Sequence, residues 1–220
     1  MTFAKWERWG PLTGVLAVVC WIVVMLLVWN TPGTDDSDAK ITSYYASNSH
    51  QSRDICAFFI FVAGVLFLLG FLAVLRGRLA DAEGAPGRIT ALAFGAGVAS
   101  AALWIVSVSM FTSQSFALDD TDKFVLDPNT FRVINDIGYS IWIGAVIVSA
   151  VLVWATSVIA LRSGVLPKWF AWLGVLVGIL LLFALFWIPV FIFWGWVLIT
   201  SLLLLFRRAP AGTPQPTAAS

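Results

Sequence analysis

The chain alternates long apolar runs with short polar segments. Its 13 Lys and Arg, its 12 Asp and Glu and its single His all lie outside five uncharged runs, which cover residues 10–29, 55–75, 89–111, 137–161 and 170–206. A helix that crosses a membrane needs about 20 apolar residues. Each of the first four runs therefore predicts one transmembrane helix.

The fifth run is too long for one straight span. Its 37 residues would form a helix of about 55 Å, nearly twice the thickness of the hydrocarbon layer. Pro189 supplies a break, because it lacks a backbone N–H and disfavours helical geometry at Ile188. We predict helices at about 165–187 and 190–208. A single kinked span is the alternative.

Composition places the whole chain in the membrane class. Only 11% of its residues are charged and its mean hydropathy is +0.92, whereas about a quarter of a soluble domain is charged. The predicted fold is an all-α polytopic bundle of six transmembrane helices in one domain, residues 1–208, with spans at about 10–29, 55–75, 89–111, 137–161, 165–187 and 190–208. The Ala, Pro, Thr and Ser of residues 209–220 predict a disordered cytoplasmic tail.

The loop charges predict the orientation of this bundle. Alternate sides carry nine and four basic residues, respectively Lys5, Arg8, Arg76, Arg78, Arg88, Arg162, Lys168, Arg207 and Arg208 against Lys40, Arg53, Lys123 and Arg132. Cytoplasmic loops carry the excess of Lys and Arg. Both termini are therefore expected in the cytoplasm, and the protein in the cell membrane.

The two outer loops are the larger extramembrane segments. In the first, cap candidates Ser37 and Asp38 precede apolar residues at helical spacing, namely Ile41, Tyr44 and Tyr45, which predicts a short amphipathic helix. The second loop, residues 112–136, mixes apolar residues with acids and is expected to contain another. Its Asp127-Pro128 pair resembles a helix cap followed by Pro at the first helical position, so the fourth helix is expected to start there and to project above the membrane.

Small residues predict where helices approach closely. The third run is rich in Ala, Gly and Ser over residues 91–102, and small side chains allow close helix packing in lipid. We expect this helix to be central. Gly174 and Gly178 form a G-x-x-x-G step, which fits either internal packing or a homodimer face.

The residues argue against several membrane chemistries. The spans contain no His for haem or zinc, no base that would activate a serine, and no ionisable side chain for ion-coupled transport. No phosphate-binding or dinucleotide motif is present in a suitable context. We therefore expect no catalytic residue, metal or cofactor, and no nucleic-acid partner.

Polar residues gather at the predicted outer ends of three helices. If the second, third and fourth helices are neighbours, these residues form a ligand-binding mouth; the candidates are His50, Arg53, Asp54, Arg132, Asn135, Asp136 and Tyr139. The alternative is that they are solvated anchors, with Arg132 and Asp136 forming a surface ion pair at i,i+4.

Tryptophans fall at two predicted depths. Those near span ends are typical of interface anchors, whereas Trp21, Trp104, Trp142 and Trp154 lie deeper. The deeper set either packs the core or lines an internal cavity. The residues expected to line such a cavity are Trp104, Ser107 and Trp142.

Several short motifs resemble those of small multi-pass membrane proteins common in actinobacteria. They are Tyr44-Tyr45-x-x-Asn48, the segment 75–84 (LRGRLADAEG), the Gly/Ala-rich third helix and Leu166-Pro167-Lys168-Trp169, within a resemblance that runs from about residue 41 to 172. The resemblance implies a bacterial cytoplasmic-membrane location. It transfers no catalytic residue.

Three functions compete at this level. The leading hypothesis is a non-enzymatic sensing, binding or scaffold protein with an outward polar face, whose partners are membrane lipids and a membrane protein or a second copy of the chain. The alternatives are a transporter or facilitator for an uncharged or amphipathic solute, which needs an internal cavity, and a lipid-modifying enzyme at the outer surface.

Overall fold

A computed structural model describes residues 9–206, and this part of the chain contains seven helices and no strand. The helices are α1 (Leu12–Leu27), α2 (Asp38–Tyr45), α3 (Asn48–Glu83), α4 (Arg88–Asp120), α5 (Pro128–Ser163), α6 (Lys168–Leu181) and α7 (Ile188–Phe206). All except α2 are strongly apolar, and the fold is a helical bundle of the membrane type.

Four helices, α3, α4, α5 and α7, are long and apolar enough to cross a membrane. The other two apolar helices are shorter, with 16 residues in α1 and 14 in α6. Large apolar side chains remain exposed around the bundle, among them Leu26, Phe59, Leu66 and Phe183. Such a surface is stable against lipid tails and costly against water.

The six apolar helices form a closed ring in chain order. Helix α1 packs on α3, α3 on α4, α4 on α5, α5 on α6 and α6 on α7, and contacts between α7 and α1 close the ring. Additional contacts cross it from α5 to α3 and to α7. Consecutive helices are thus neighbours, as short connections favour.

The most buried of the long helices is α5, and the expectation of a central third helix is wrong. In the most apolar window of α5, 61% of the residues are buried, against 33% for α4. The small residues of α4 still allow close packing, since the α4–α5 pair is the most extensive in the bundle. They also allow contact with α3, since a Cβ at Gly97 would lie 2.8 Å from the Leu72 side chain.

The chain reverses direction between α6 and α7. Phe170 near the start of α6 stacks on Trp196 of α7 with ring centroids 6.5 Å apart, whereas 26 residues of continuous helix would separate them by about 39 Å. The reversal occupies residues 182–187. It begins earlier than predicted, and Pro189 lies in the first turn of α7, where a missing N–H costs little.

The first of the two predicted loop helices is present. Helix α2 starts after Ser37, whose side chain accepts a hydrogen bond from the backbone N–H of Lys40. Ile41, Tyr44 and Tyr45 are buried against Phe131 of α5, so the amphipathic pattern was interpreted correctly.

The second loop differs from the prediction. Residues 121–127 contain no helix, because α4 itself continues to Asp120. The predicted start of α5 is confirmed: the Asp127 side chain accepts from the N–H of Thr130 at 2.8 Å, and Pro128 follows the cap.

At the opposite end, a tight connection joins α3 to α4. Gly84 and Gly87 adopt positive φ angles, and the Glu83 carboxylate accepts hydrogen bonds from the N–H groups of Ile89 and Thr90 at 2.9 and 2.7 Å. These bonds satisfy donors that the first turn of a helix leaves free.

The G-x-x-x-G step packs inside the fold. A Cβ at Gly174 would lie within 3.5 Å of Ser157 Cβ, and one at Gly178 would overlap the indole of Trp154. The step therefore serves the α5–α6 contact, as in the internal-packing alternative. The predicted tail and the basic residues Lys5, Arg8, Arg207 and Arg208 lie outside the described residues.

Candidate ligand cavity

A cavity of about 680 Å³ opens at one end of the bundle. Its wall consists of α1, α3, α4, α5, the start of α7 and the loop that follows α1. The lining residues are Trp21, Val24, Met25, Val28, Thr31, Pro32, Gly33, Thr34, Asp35, Asp36, Asp54, Ala57, Phe58, Phe61, Val108, Phe111, Thr112, Asn135, Asp136, Tyr139, Trp142, Trp187, Val190, Phe191 and Trp194. Its volume is typical of sites for small molecules.

The helix register gives the depth of this cavity. On α3 the lining runs from Asp54 to Phe61, and on α5 from Asn135 to Trp142. Seven residues of helix span about 10 Å. On both helices the polar residue lies at the mouth and the aromatic residue at the floor.

Aromatic contacts close the floor. The Trp21 and Trp104 rings meet edge to face at 5.1 Å, and Trp104 stacks on Trp142 at 5.9 Å. Phe193 packs on Trp104 from α7 at 5.2 Å. Below this layer the bundle is filled by buried side chains, among them Val65, Leu68, Phe71, Leu72 and Leu75.

The loop between α1 and α2 forms one side of the mouth, and Arg132 holds this loop and the start of α2 in place. Its Nε donates to the carbonyl of Thr34 at 3.0 Å, and its Nη2 donates to the carbonyl of Asp36 at 2.9 Å. The same nitrogen forms an ion pair with Asp38 at 2.7 Å. The suggested pair between Arg132 and Asp136 is therefore wrong.

A buried hydrogen-bond network surrounds Asp54, whose exposed fraction is 3%. Tyr44 Oη donates to Asp54 Oδ1 at 2.9 Å, and Ser115 Oγ donates to Oδ2 at 3.0 Å. Arg53 Nη2 donates to Tyr44 Oη at 2.8 Å. Burial raises the pKa of Tyr44, so its hydroxyl remains a donor at neutral pH. The network ties α2, α3 and α4 together at the mouth.

Acidic residues are the only charged residues that line the cavity: Asp35, Asp36, Asp54 and Asp136. Asp36 forms an ion pair with Lys40 at 2.8 Å, and the hydrogen bond from Lys40 lowers the pKa of Asp36. Within residues 9–206, no ion pair to Asp35, Asp54 or Asp136 is present.

The predicted mouth residues divide into two groups. Asp54, Asn135, Asp136 and Tyr139 line the cavity together. His50, Arg53 and Arg132 do not line it. Their side chains contact Tyr44 or the loop after α1 and thereby hold the mouth of the cavity in place. His50 stacks on Tyr44 at 4.4 Å and its Nδ1 lies 2.9 Å from the Tyr44 carbonyl oxygen.

Of the three predicted cavity-lining residues, only Trp142 contacts the cavity. Trp104 lies in the layer beneath the floor. Ser107 is fully buried between α4 and α5, where its hydroxyl donates to the Gly138 carbonyl at 2.7 Å. Trp104 therefore shares the helix face of the lining residues Val108 and Phe111 but lies one turn too deep, whereas Ser107 points away from the cavity towards α5.

Sequence reasoning missed the wall contributed by α1, the loop after it and α7. One signal was present: Trp187, Val190, Phe191 and Trp194 have the i, i+3, i+4, i+7 spacing of a single helix face, and all four line the cavity. The two tryptophans among them were interpreted as interface anchors. Trp194 lies beside Trp21, with ring centroids 5.6 Å apart, because α7 and α1 close the ring.

The arrangement is suited to binding an amphipathic molecule. Apolar and aromatic side chains make up the floor, and a few polar groups converge at the mouth, which is the usual composition of a small-molecule site. Residues 9–206 contain no cluster of His, Cys, Asp and Glu that could hold a metal ion. Comparisons of the chain with protein-family models, curated proteins and solved structures gave no match.

Proposed function

We propose that this chain is a multi-pass membrane protein that binds a small ligand in a cavity at its outward face, without catalysing a reaction. The observation that carries the proposal is the cavity of about 680 Å³ with a closed aromatic floor. A binding site needs space, apolar surface and a few orienting polar groups, and this cavity supplies all three.

The proposed orientation has six spans and both termini in the cytoplasm of a bacterial cell. The distribution of Lys and Arg supports it. In this orientation the mouth opens outward, since it lies at the end that carries α2 and residues 121–127. The short helices α1 and α6 would span by means of their flanking residues.

The closed floor favours binding over passage. A facilitator needs a path that continues towards the other membrane face, but Trp104 contacts both Trp21 and Trp142 across the bundle. Large buried side chains fill the space below them. We therefore favour a receptor or sensor over a facilitator.

Saturable photolabelling tests the proposal. The protein in lipid nanodiscs is irradiated with a small neutral aryl diazirine, and labelled residues are mapped by mass spectrometry. Labelling of α5 between residues 135 and 142 should saturate and be displaced by excess unlabelled aryl compound. Labelling of exposed apolar residues such as Phe59 and Leu66 should rise linearly with probe concentration.

A matched pair of variants on α1 provides the control. Val24 lines the cavity, whereas its neighbour Val23 is 39% exposed and does not. Val24→Phe should fill the space and abolish saturable labelling, and Val23→Phe should leave it unchanged. Linear labelling throughout the wild-type protein would refute the proposed function.

A further inference from the structure

The charge of the cavity suggests the class of its ligand. All four charged residues that line it are carboxylates, and nine of the lining residues are aromatic: Trp21, Phe58, Phe61, Phe111, Tyr139, Trp142, Trp187, Phe191 and Trp194. We infer that the ligand is an amphipathic organic cation, with its apolar body between these rings and its cationic head at the mouth. This inference rests on the proposed binding function.

The carboxylates at the mouth are largely uncompensated. Lys40 neutralises Asp36, but Asp35, Asp54 and Asp136 lack an ion-pair partner within the described range 9–206. Asp35 and Asp136 lie at exposed positions of the mouth, whereas Asp54 is buried and both of its oxygens accept hydrogen bonds. Arg53 interacts electrostatically with Asp54, and Arg132 is engaged by the loop carbonyls and by Asp38. Asp35 and Asp136 therefore carry most of the uncompensated charge.

These charges create a negative potential at the entrance of an apolar cleft. Low-dielectric walls focus such a field, which attracts cations and repels anions. A neutral ligand would fit the floor but would gain nothing from the carboxylates.

The aromatic residues add a second preference for positive charge. Tyr139 stacks on Trp187 at 5.4 Å and Trp187 lies 5.6 Å from Trp142, measured between ring centroids. A cation near the face of Trp or Tyr is attracted by the ring quadrupole, and the attraction strengthens when the cation is desolvated. The same rings pack well against an apolar body.

The arrangement along the helices sets the shape of the ligand. Asp54 and Phe61 are seven residues apart on α3, and Asp136 and Trp142 are six apart on α5, so charge and floor are separated by about 10 Å on both walls. An aryl or alkyl chain that ends in an ammonium group matches this separation.

Three probes of matched size test the inference by titration calorimetry against protein-containing nanodiscs, with empty nanodiscs as the reference. The cation is (4-phenylbutyl)trimethylammonium, the neutral probe is its isostere with carbon in place of nitrogen, and the anion is 4-phenylbutane-1-sulfonate. The cation should bind at least about tenfold more tightly than the isostere, and the anion should show no binding.

Substitutions at the mouth identify the source of the preference. Asp35→Asn and Asp136→Asn, at exposed positions that leave the buried network intact, should each weaken cation binding by about threefold without changing binding of the isostere. Asp119→Asn, at an exposed position of α4 outside the cavity, is the matched control and should have no effect.

The outcomes separate this inference from the proposed function. Equal binding of the cation and the isostere, or a preference for the anion, would overturn the cationic class while leaving the binding site in place. Failure of all three probes despite saturable photolabelling would also overturn it. Failure of the probes together with linear photolabelling would overturn both.

Discussion

At the scale of single residues, the mouth of the cavity depends on one tyrosine hydroxyl. Tyr44 Oη donates to Asp54, accepts from Arg53 and lies 3.0 Å from Thr31 Oγ1. It thereby connects the loop after α1, the loop helix α2 and the start of α3. The adjacent Tyr45 is just as buried, but its hydroxyl has no hydrogen-bond partner within residues 9–206.

This contrast yields a prediction for two neighbouring substitutions. Tyr44→Phe should reduce the free energy of unfolding by about 1–3 kcal/mol, because it leaves a buried carboxylate with a single donor. Tyr45→Phe should change it by less than about 0.5 kcal/mol, since no bond is lost. Thermal unfolding of both variants in the same detergent measures the difference, and equal melting temperatures would contradict the assigned network.

Residue-level patterns predicted the chemistry of the mouth better than its geometry. Asp54, Asn135, Asp136 and Tyr139 were placed at a common end by counting along their helices. The direction of a side chain around a helix was harder to predict, because α4 has small or apolar residues on most faces. Ser107 was consequently assigned to the cavity although it faces α5, and Trp104 was assigned to it although it lies one turn below the lining residues.

At the scale of helices, close packing of α5 and α6 depends on a missing side chain. A Cβ at Gly178 would lie 2.1 Å from Trp154 Nε1, and that nitrogen donates to the Val175 carbonyl at 3.1 Å. The indole therefore fills the space above the glycine and is fixed by α6 itself. Rigid aromatic rings relax less readily than the ends of flexible side chains.

Replacement of this glycine should separate the two helices. Gly178→Ala should destabilise the protein by about 1–3 kcal/mol through overpacking. The control is Gly144→Ala on α5, where a Cβ would meet nothing within 4 Å; it should be neutral or stabilising by up to about 1 kcal/mol, because Ala favours helix. Melting temperatures of the two variants provide the measurement, and a stabilised Gly178→Ala would refute this packing.

The helices themselves were mostly predictable, because long uncharged runs mark most of them and side-chain caps mark the starts of α2 and α5. Ser37 and Asp127 cap the helices that they were expected to cap. The end of α6 was not predictable in the same way, since residues 182–187 are as apolar as the helices on either side. The break was predicted at Pro189, but proline is tolerated in the first turn of a helix, and there Pro189 lies.

At the scale of the whole molecule, ring closure creates the cavity. Helices α1 and α7 are separated by most of the chain, yet their contact brings Trp21 within 5.6 Å of Trp194. No local pattern specifies which distant helices meet, so the cavity could be anticipated only as one of two alternatives for the deep tryptophans. Its acidic mouth also depends on a distant contact, since Arg132 of α5 holds the loop after α1 through hydrogen bonds to the carbonyls of Thr34 and Asp36.

Accessibility of a single cysteine to a membrane-impermeant thiol reagent, measured in intact cells, tests the central claim most directly. With Cys20 and Cys56 replaced by Ser, Thr112→Cys, at a buried position on the cavity wall, should react, although more slowly than Asp119→Cys at the exposed end of α4. Val65→Cys, at a fully buried position below the floor, should not react. If Thr112→Cys is as unreactive as Val65→Cys while Asp119→Cys is modified, the bundle has no open cavity at its outward face.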